Sequence, residues 1–237
     1  MTFPPILSVN NYNEMLTKIH MYTFCVSALC ILILNSFVPS IGKAITYLNS
    51  SLLQYLPDNI TTSSRITGEL LLIFTAAILI SAVKLHDRLS DILRIRNEFD
   101  IHYVLYPLVA ASGATLSATQ FNQVRLQRRR LMTSCFYAYA SSTTPTIDRH
   151  TISQALTNWS WFWVSLEAIS LFFTTAIVLM CYAAWMPAAL LLMGCLMLLL
   201  FMRYFRLQSA SYAERQVKQI LHDETRRSQI ADTFNAL

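Results

Sequence analysis

The chain has 237 residues, of which 54% are hydrophobic and only 13% charged, against roughly a quarter charged in ordinary soluble domains, so its apolar content exceeds what one water-soluble core could hide. The formal net charge is +5; only four glycines and no Gly-rich loop, no sustained alternation and no internal repeat argue against β-barrels, phosphate-cradling loops and solenoids. The composition fits an all-α membrane protein.

The first apolar run, His20 to Val38, carries no carboxylate, lysine or arginine and supplies the about 20 residues a helix needs to cross a bilayer core. No basic leader with a small-residue cleavage site precedes it, so it is expected to persist as a span over about 20–38. Beyond it, Ile41, Ala44, Ile45, Leu48, Leu52, Tyr55 and Leu56 recur at helical spacing opposite Lys43, Thr46, Ser50 and Gln54. That pattern predicts an amphipathic helix over about 41–56 in the outer interface, ended by Pro57. Two glycosylation sequons, Asn49-Ser50-Ser51 and Asn59-Ile60-Thr61, are weak patterns. A second span over about 66–85 requires Glu69 and Lys84 to snorkel at opposite faces, and it completes an N-terminal hairpin over 1–85.

Residues 86–158 read as a helical segment rich in charge. The second span is expected to continue past His86, Asp100 to cap "IHYVLYPLVAASG", and Gly113 to stop that helix. Ser117 to Gln120 has the form of a capping box opening the helix that carries Arg125, Arg128, Arg129 and Arg130. An unbroken helical wheel over 121–139 puts Arg125, Arg128, Arg129, Met132, Phe136 and Tyr139 on one stripe, away from Gln123, Gln127 and Arg130. Ser141 to Pro145 reads as a loop, and helical pattern resumes near Ile147.

The 35 uncharged residues between Glu167 and Arg203 are too many for one span and suit two. A break at Trp185-Met186-Pro187 gives spans over about 161–184 and 188–202 within a C-terminal hairpin, 159–202, followed by a helical tail, 203–237. Trp159, Trp161 and Trp163 would form an aromatic belt at the inner interface. Nine lysines and arginines lie between Lys84 and Arg149 and six between Arg203 and Arg227. The positive-inside rule therefore predicts four spans, with both termini and a small helical domain in the cytoplasm of a cell whose inner membrane holds the protein.

Glu167, deep in the third span, heads a polar stripe with Ser170 and Thr174, and Lys84 or Arg203 could supply its ion pair. The cysteines Cys25, Cys30, Cys135, Cys181 and Cys195 occur singly and read as small buried hydrophobes, with no disulfide or metal expected. No nucleophile, zinc or nucleotide signature is present, so neither catalysis nor a cofactor is expected; an enzyme site at the membrane interface would rest on His86 and Asp91 alone.

The arginine stripe could pair within the chain or between subunits, meet lipid or an acidic protein, or bind nucleic acid. Nine positive against five acidic residues between Lys84 and Arg149 make nucleic acid the weakest of these. The stripe is therefore expected to dock protein. The pattern as a whole predicts a non-enzymatic, homo-oligomeric membrane scaffold or sensor that recruits a cytosolic effector, as small subunits in bacterial anti-phage defence and stress systems do by analogy. The alternative is a pore-forming effector with Glu167, Ser170 and Thr174 along its path.

Overall fold

Helix α1 (Tyr12–Phe37) begins where the side chain of Asn11 accepts the backbone N–H of Glu14 at 2.9 Å and Glu14 reaches back to the N–H of Asn10 at 2.8 Å. This reciprocal pairing satisfies two donors that a helix start leaves open. The computed structural model describes residues 9–53 and 64–237, and helix is the regular structure found among them. The predicted stop at Pro57 and the sequon at Asn59 lie outside the described residues.

The chain divides into two units. An apolar unit comprises Thr17–His86 and Trp163–Met202, and a basic unit comprises Met1–Leu16, Asp87–Phe162 and Arg203–Leu237.

In the apolar unit, α1 is followed after Val38 by α2 (Pro39–Leu53), which matches the amphipathic pattern read from the sequence. Helix α3 (Ser64–Val83) packs along it, and the contact is close because Gly68 has no side chain: its N–H donates to Asn49 Oδ1 at 2.7 Å. The first sequon asparagine is thus a buried packing residue. At the other end of α3, Lys84 adopts φ 51° and breaks the helix before α4 (Leu85–Ile92), so the expected continuation past His86 is bent by 43°.

Helix α9 (Arg149–Cys181) enters the apolar unit at Trp163, and α10 (Trp185–Leu221) leaves it at Met202. The turn between them falls at Tyr182 to Ala184, where Ala183 takes φ 56°, slightly before the predicted break. Pro187 lies in the first turn of α10, where a missing N–H costs no helical bond. Val38, Ala176, Leu179, Ala188 and Leu191 close the local core.

Among the described residues, three helices, α1, α9 and α10, are long and apolar enough to cross a membrane, or up to four if the bent pair Gly68–Ile80 and Leu85–Ile92 is one span. These helices mark a membrane protein. Leu32, Phe74, Ile78, Phe173, Met193 and Leu200 are among the large side chains they leave exposed, a surface water alone would not tolerate.

The basic unit is a cluster of short helices around one core. Helix α5 (Ile95–Phe99) runs without a stop into a π-helical turn, Asp100–Leu105, and then α6 (Tyr106–Ser112), ended by Gly113 at φ 86°. Asp100 therefore sits inside a helical run instead of capping one. The π turn ends two residues before Pro107, which has no N–H to give, and the N–H of Tyr106 reaches back five residues to Ile101.

Helix α7 (Ala118–Leu126) opens with the predicted capping box: Gln120 N–H donates to Ser117 Oγ and the Gln120 side chain accepts from Ser117 N–H. The helix then breaks at Gln127 (φ −92°, ψ 14°), resumes as the single turn α8 (Arg128–Leu131), and widens into a second π turn, Met132–Tyr137.

Asp148 caps α9 by accepting from the backbone and hydroxyl of Thr151, which holds its carboxyl below the usual range. Helix α11 (Glu224–Asn235), capped by Asp223, inserts Ile230 and Phe234 into a core with Leu105, Leu108, Leu131 and Ile220. Each such side chain, fully buried, contributes on the order of 2 kcal/mol. Val9 is tied to this unit by hydrogen bonds with Thr157 at 3.0 Å and Ser153 at 2.7 Å.

Candidate functional site

Two clusters combine buried polar groups with open space, one in each unit. In the apolar unit, Glu167 is 3% exposed and His86 4% exposed. Glu167 Oε1 accepts the backbone N–H of His86 at 3.0 Å and lies 3.2 Å from its Nδ1, while Thr23 donates its hydroxyl to Oε2. A cavity of about 430 Å³ adjoins the cluster, with His20, Phe24 and Phe74 among its lining. The His86 ring also meets Trp163 edge-on at 6.3 Å. A buried carboxylate tolerates such a place only when its oxygens are satisfied, as they are here by one turn of α4 and one hydroxyl of α1.

The rest of the expected stripe behaves differently. Ser170 donates to the carbonyl of Leu166 at 3.0 Å and Thr174 to that of Ser170 at 2.8 Å, so both hydroxyls are spent on their own helix. Lys84 and Arg203 are exposed. Glu167 finds its partners in His86 and Thr23, which depth reasoning restricted to lysine and arginine passed over.

In the basic unit, a cleft of about 700 Å³ draws on parts of the chain far apart in sequence. Both π turns wall it: Asp100 and Val104 come from the first, and Met132, Thr133, Phe136 and Tyr137 from the second. Such turns are rare and recur at functional sites, because the extra residue per turn widens the backbone and re-aims side chains. Aromatic faces come from Phe99 and Trp159, whose ring centroids are 4.5 Å apart, with Trp159 in turn stacked on Phe162 at 5.0 Å.

The charged part of the cleft centres on a pair between Arg128 and Asp100. Burial pushes the Asp100 carboxyl up to about 6, against the opposing pull of the Arg128 and Arg96 guanidiniums. Arg96 pairs with Asp87 at 3.1 Å, and Arg129 stands exposed on the lining with no acidic partner among the described residues. On α10, Ser209 and Gln216 line the cleft from positions 3% and 4% exposed, and the Ser209 hydroxyl has no hydrogen-bond partner among the described residues.

The arginine stripe is accordingly divided. Arg125 is exposed and donates to the Tyr106 hydroxyl at 3.3 Å; Arg128 and Arg129 belong to the cleft; Arg130 contacts Gln127 at 3.3 Å. Met132 and Phe136 are core residues, and Tyr139 is half-buried under the Arg226 guanidinium, 5.6 Å from its ring centre. An unbroken wheel fails here because the break at Gln127 and the π turn each shift the register. The tryptophans also have packing roles: Trp163 is fully buried, and Trp161 stacks on Phe205 at 6.1 Å.

No group of three or more metal-ligating side chains converges among the described residues. His86 is bound into the Glu167 cluster and Asp91 lies exposed on the lining of the cleft, each within a different unit.

A model of the YmfE protein family matches residues 11–234. The chain belongs to that family. The YmfE match takes in both units, including the Glu167 cluster and the whole lining of the cleft. No curated protein and no solved structure matches the chain.

Proposed function

We propose that this YmfE-family chain is a non-enzymatic sensor or scaffold of the inner membrane, crossing it four times with both termini and the basic unit in the cytoplasm. The bent pair of α3 and α4 would serve as the second crossing. In this reading the protein assembles with itself through its lipid-facing helices, receives a signal in the basic unit and recruits a soluble effector there, in a bacterial defence or stress setting by analogy alone. The observation that carries the reading is the cleft: a cavity of ligand size, walled by two π turns and a buried ion pair, in the unit that holds most of the lysines and arginines. Arg125 and Arg129, both exposed, remain the side chains offered to a partner.

The pore alternative draws no support from Ser170 and Thr174, whose hydroxyls are engaged within α9. Single cysteines at Lys43 and Gln127, treated in intact cells with a membrane-impermeant maleimide, test the topology. Labelling at position 43 alone until the inner membrane is opened is expected, and the reverse pattern would overturn the orientation. Purification in mild detergent with mass spectrometry then tests recruitment: recovery of the chain with a stoichiometric soluble protein is expected, and a homo-oligomer alone, with ion flux in liposomes, would replace the sensor with the pore.

A further inference from the structure

We propose that the cleft of the basic unit binds a small aromatic monoanion, a planar ring body carrying one carboxylate-type charge. The inference rests on the reading of that unit as the sensing part and adds the chemistry of what is sensed. At about 700 Å³ the cleft lies in the range of roughly 300–1,000 Å³ that small-molecule sites occupy.

Its walls favour a ring over a flexible chain. Phe99, Trp159, Phe136 and Tyr137 present aromatic surfaces, and offset or edge-on ring contacts add attraction beyond simple area burial. Ala155 and Ala213, on α9 and α10, keep the space between these rings open. An acyl chain suits this lining poorly, because it includes the polar residues Asp100, Ser209 and Gln216, all more than nine-tenths buried. The Ser209 hydroxyl in particular lacks a partner among the described residues, which a donor or acceptor on the ring's far edge would supply.

Charge sets the other end of the ligand. The lining holds three arginines, Arg96, Arg128 and Arg129, and two aspartates, Asp91 and Asp100, with Asp87 beside it on Arg96. Arg96 and Arg128 are already engaged by Asp87 and Asp100, so the exposed Arg129 is the guanidinium left to meet an anion. Its planar fork suits a carboxylate and also stacks on a ring. One guanidinium without an acidic partner among the described residues suits a single carboxylate and disfavours polyphosphates.

Isothermal titration of the full chain in nanodiscs of zwitterionic lipid, with indole-3-acetate as the probe and octanoate and neutral indole as controls, tests the assignment. One saturable site for indole-3-acetate is expected, with both controls about tenfold weaker or worse. Arg129→Gln, at an exposed position, is expected to weaken indole-3-acetate about fivefold and leave indole unchanged. Ala213→Phe fills the floor and is expected to abolish binding of both; should that variant unfold, Ser209→Ala, which removes only a hydroxyl, is expected to weaken binding about threefold. Absence of a saturable site, octanoate binding as tightly as the aromatic acid, or indifference to Arg129→Gln and Ser209→Ala would each overturn the proposal. Titration of purified protein depends on neither membrane orientation nor a partner, so it fails separately from the labelling and purification results.

Discussion

Glu167 Oε1 accepts the backbone N–H of His86 at 3.0 Å and lies 3.2 Å from Nδ1 of the same residue. One carboxylate oxygen thus fixes both the backbone and the ring of the residue just past the Lys84–Leu85 bend, and Thr23 occupies the other oxygen. Replacing Glu167 by Ala leaves the Thr23 hydroxyl and the His86 N–H buried without their acceptor. Each such loss costs about 1–3 kcal/mol, so the variant is expected to lose roughly 2–5 kcal/mol. Glu167→Gln keeps one acceptor oxygen and should lose about half as much. Thermal unfolding in detergent, followed by circular dichroism, checks this; equal midpoints for wild type and Glu167→Ala would show that the cluster contributes nothing.

Asp100 makes stability depend on pH in an unusual direction for a carboxylate. Its proton is held up to about 6 in the folded chain, above the 3.8 of an unperturbed aspartate, so between these values the folded state binds more proton than the unfolded one. This group's contribution is therefore lowest above pH 6 and grows as pH falls toward 4, by up to about 3 kcal/mol. Asp100→Asn removes that titration. The difference in unfolding midpoint between wild type and Asp100→Asn is expected to move in favour of wild type from about pH 7 to about pH 4.5, and a flat difference would contradict the assignment.

Gly68 is where α3 approaches α2 most closely. A methyl group there would fall nearer to Asn49 Oδ1 than real side chains come, and 3.0 Å from the carbonyl of Ile45, a tight contact. Gly68→Ala is expected to cost about 1–3 kcal/mol through overpacking. Asn49→Ala removes the nearest atom, so the double variant should recover part of that loss, a non-additivity read directly in a double-mutant cycle. Strict additivity would mean that the two residues do not meet.

Ser170 and Thr174 give a contrasting expectation. Their hydroxyls serve carbonyls of their own helix that already take part in helical bonding, so alanine at either position should change stability by within about 0.5 kcal/mol. Neither change should alter ion flux across liposomes. A clear flux phenotype at Thr174 would return the stripe to the pore.

Sequence pattern was most informative where a local rule decides the outcome. The amphipathic run after Pro39, the capping box at Ser117 and Gln120 and the left-handed stop at Gly113 each depend on a few neighbouring residues, and each is found where the residue types require it. The turn before α10 was displaced by a few residues because proline disfavours helix before it yet fits a helix's first turn, and the chain took the second option. Glu167 stood out as costly, but its partners did not, since a backbone N–H and a threonine hydroxyl carry no charge to search for. The cleft was illegible for a further reason: Tyr12, Asp100, Arg129, Trp159 and Ser209 converge only through tertiary packing.

The turns at Asp100–Leu105 and Met132–Tyr137 each hold one residue more than an α-helical turn would. Each therefore acts as a stored insertion. Deleting a single residue from Asp100–Leu105 would let the run from Ile95 to Ser112 close as plain α-helix with the residues on either side keeping their relative orientation, whereas the same deletion inside a regular helix would rotate them by about 100°. Phe99 and Arg96 would stay on the cleft and Leu108 and Val109 in the core, while Asp100 and Val104, inside the turn, would lose their present aim. Reading frame within a helix, and not only residue identity, thus becomes something that insertions and deletions can tune in this chain.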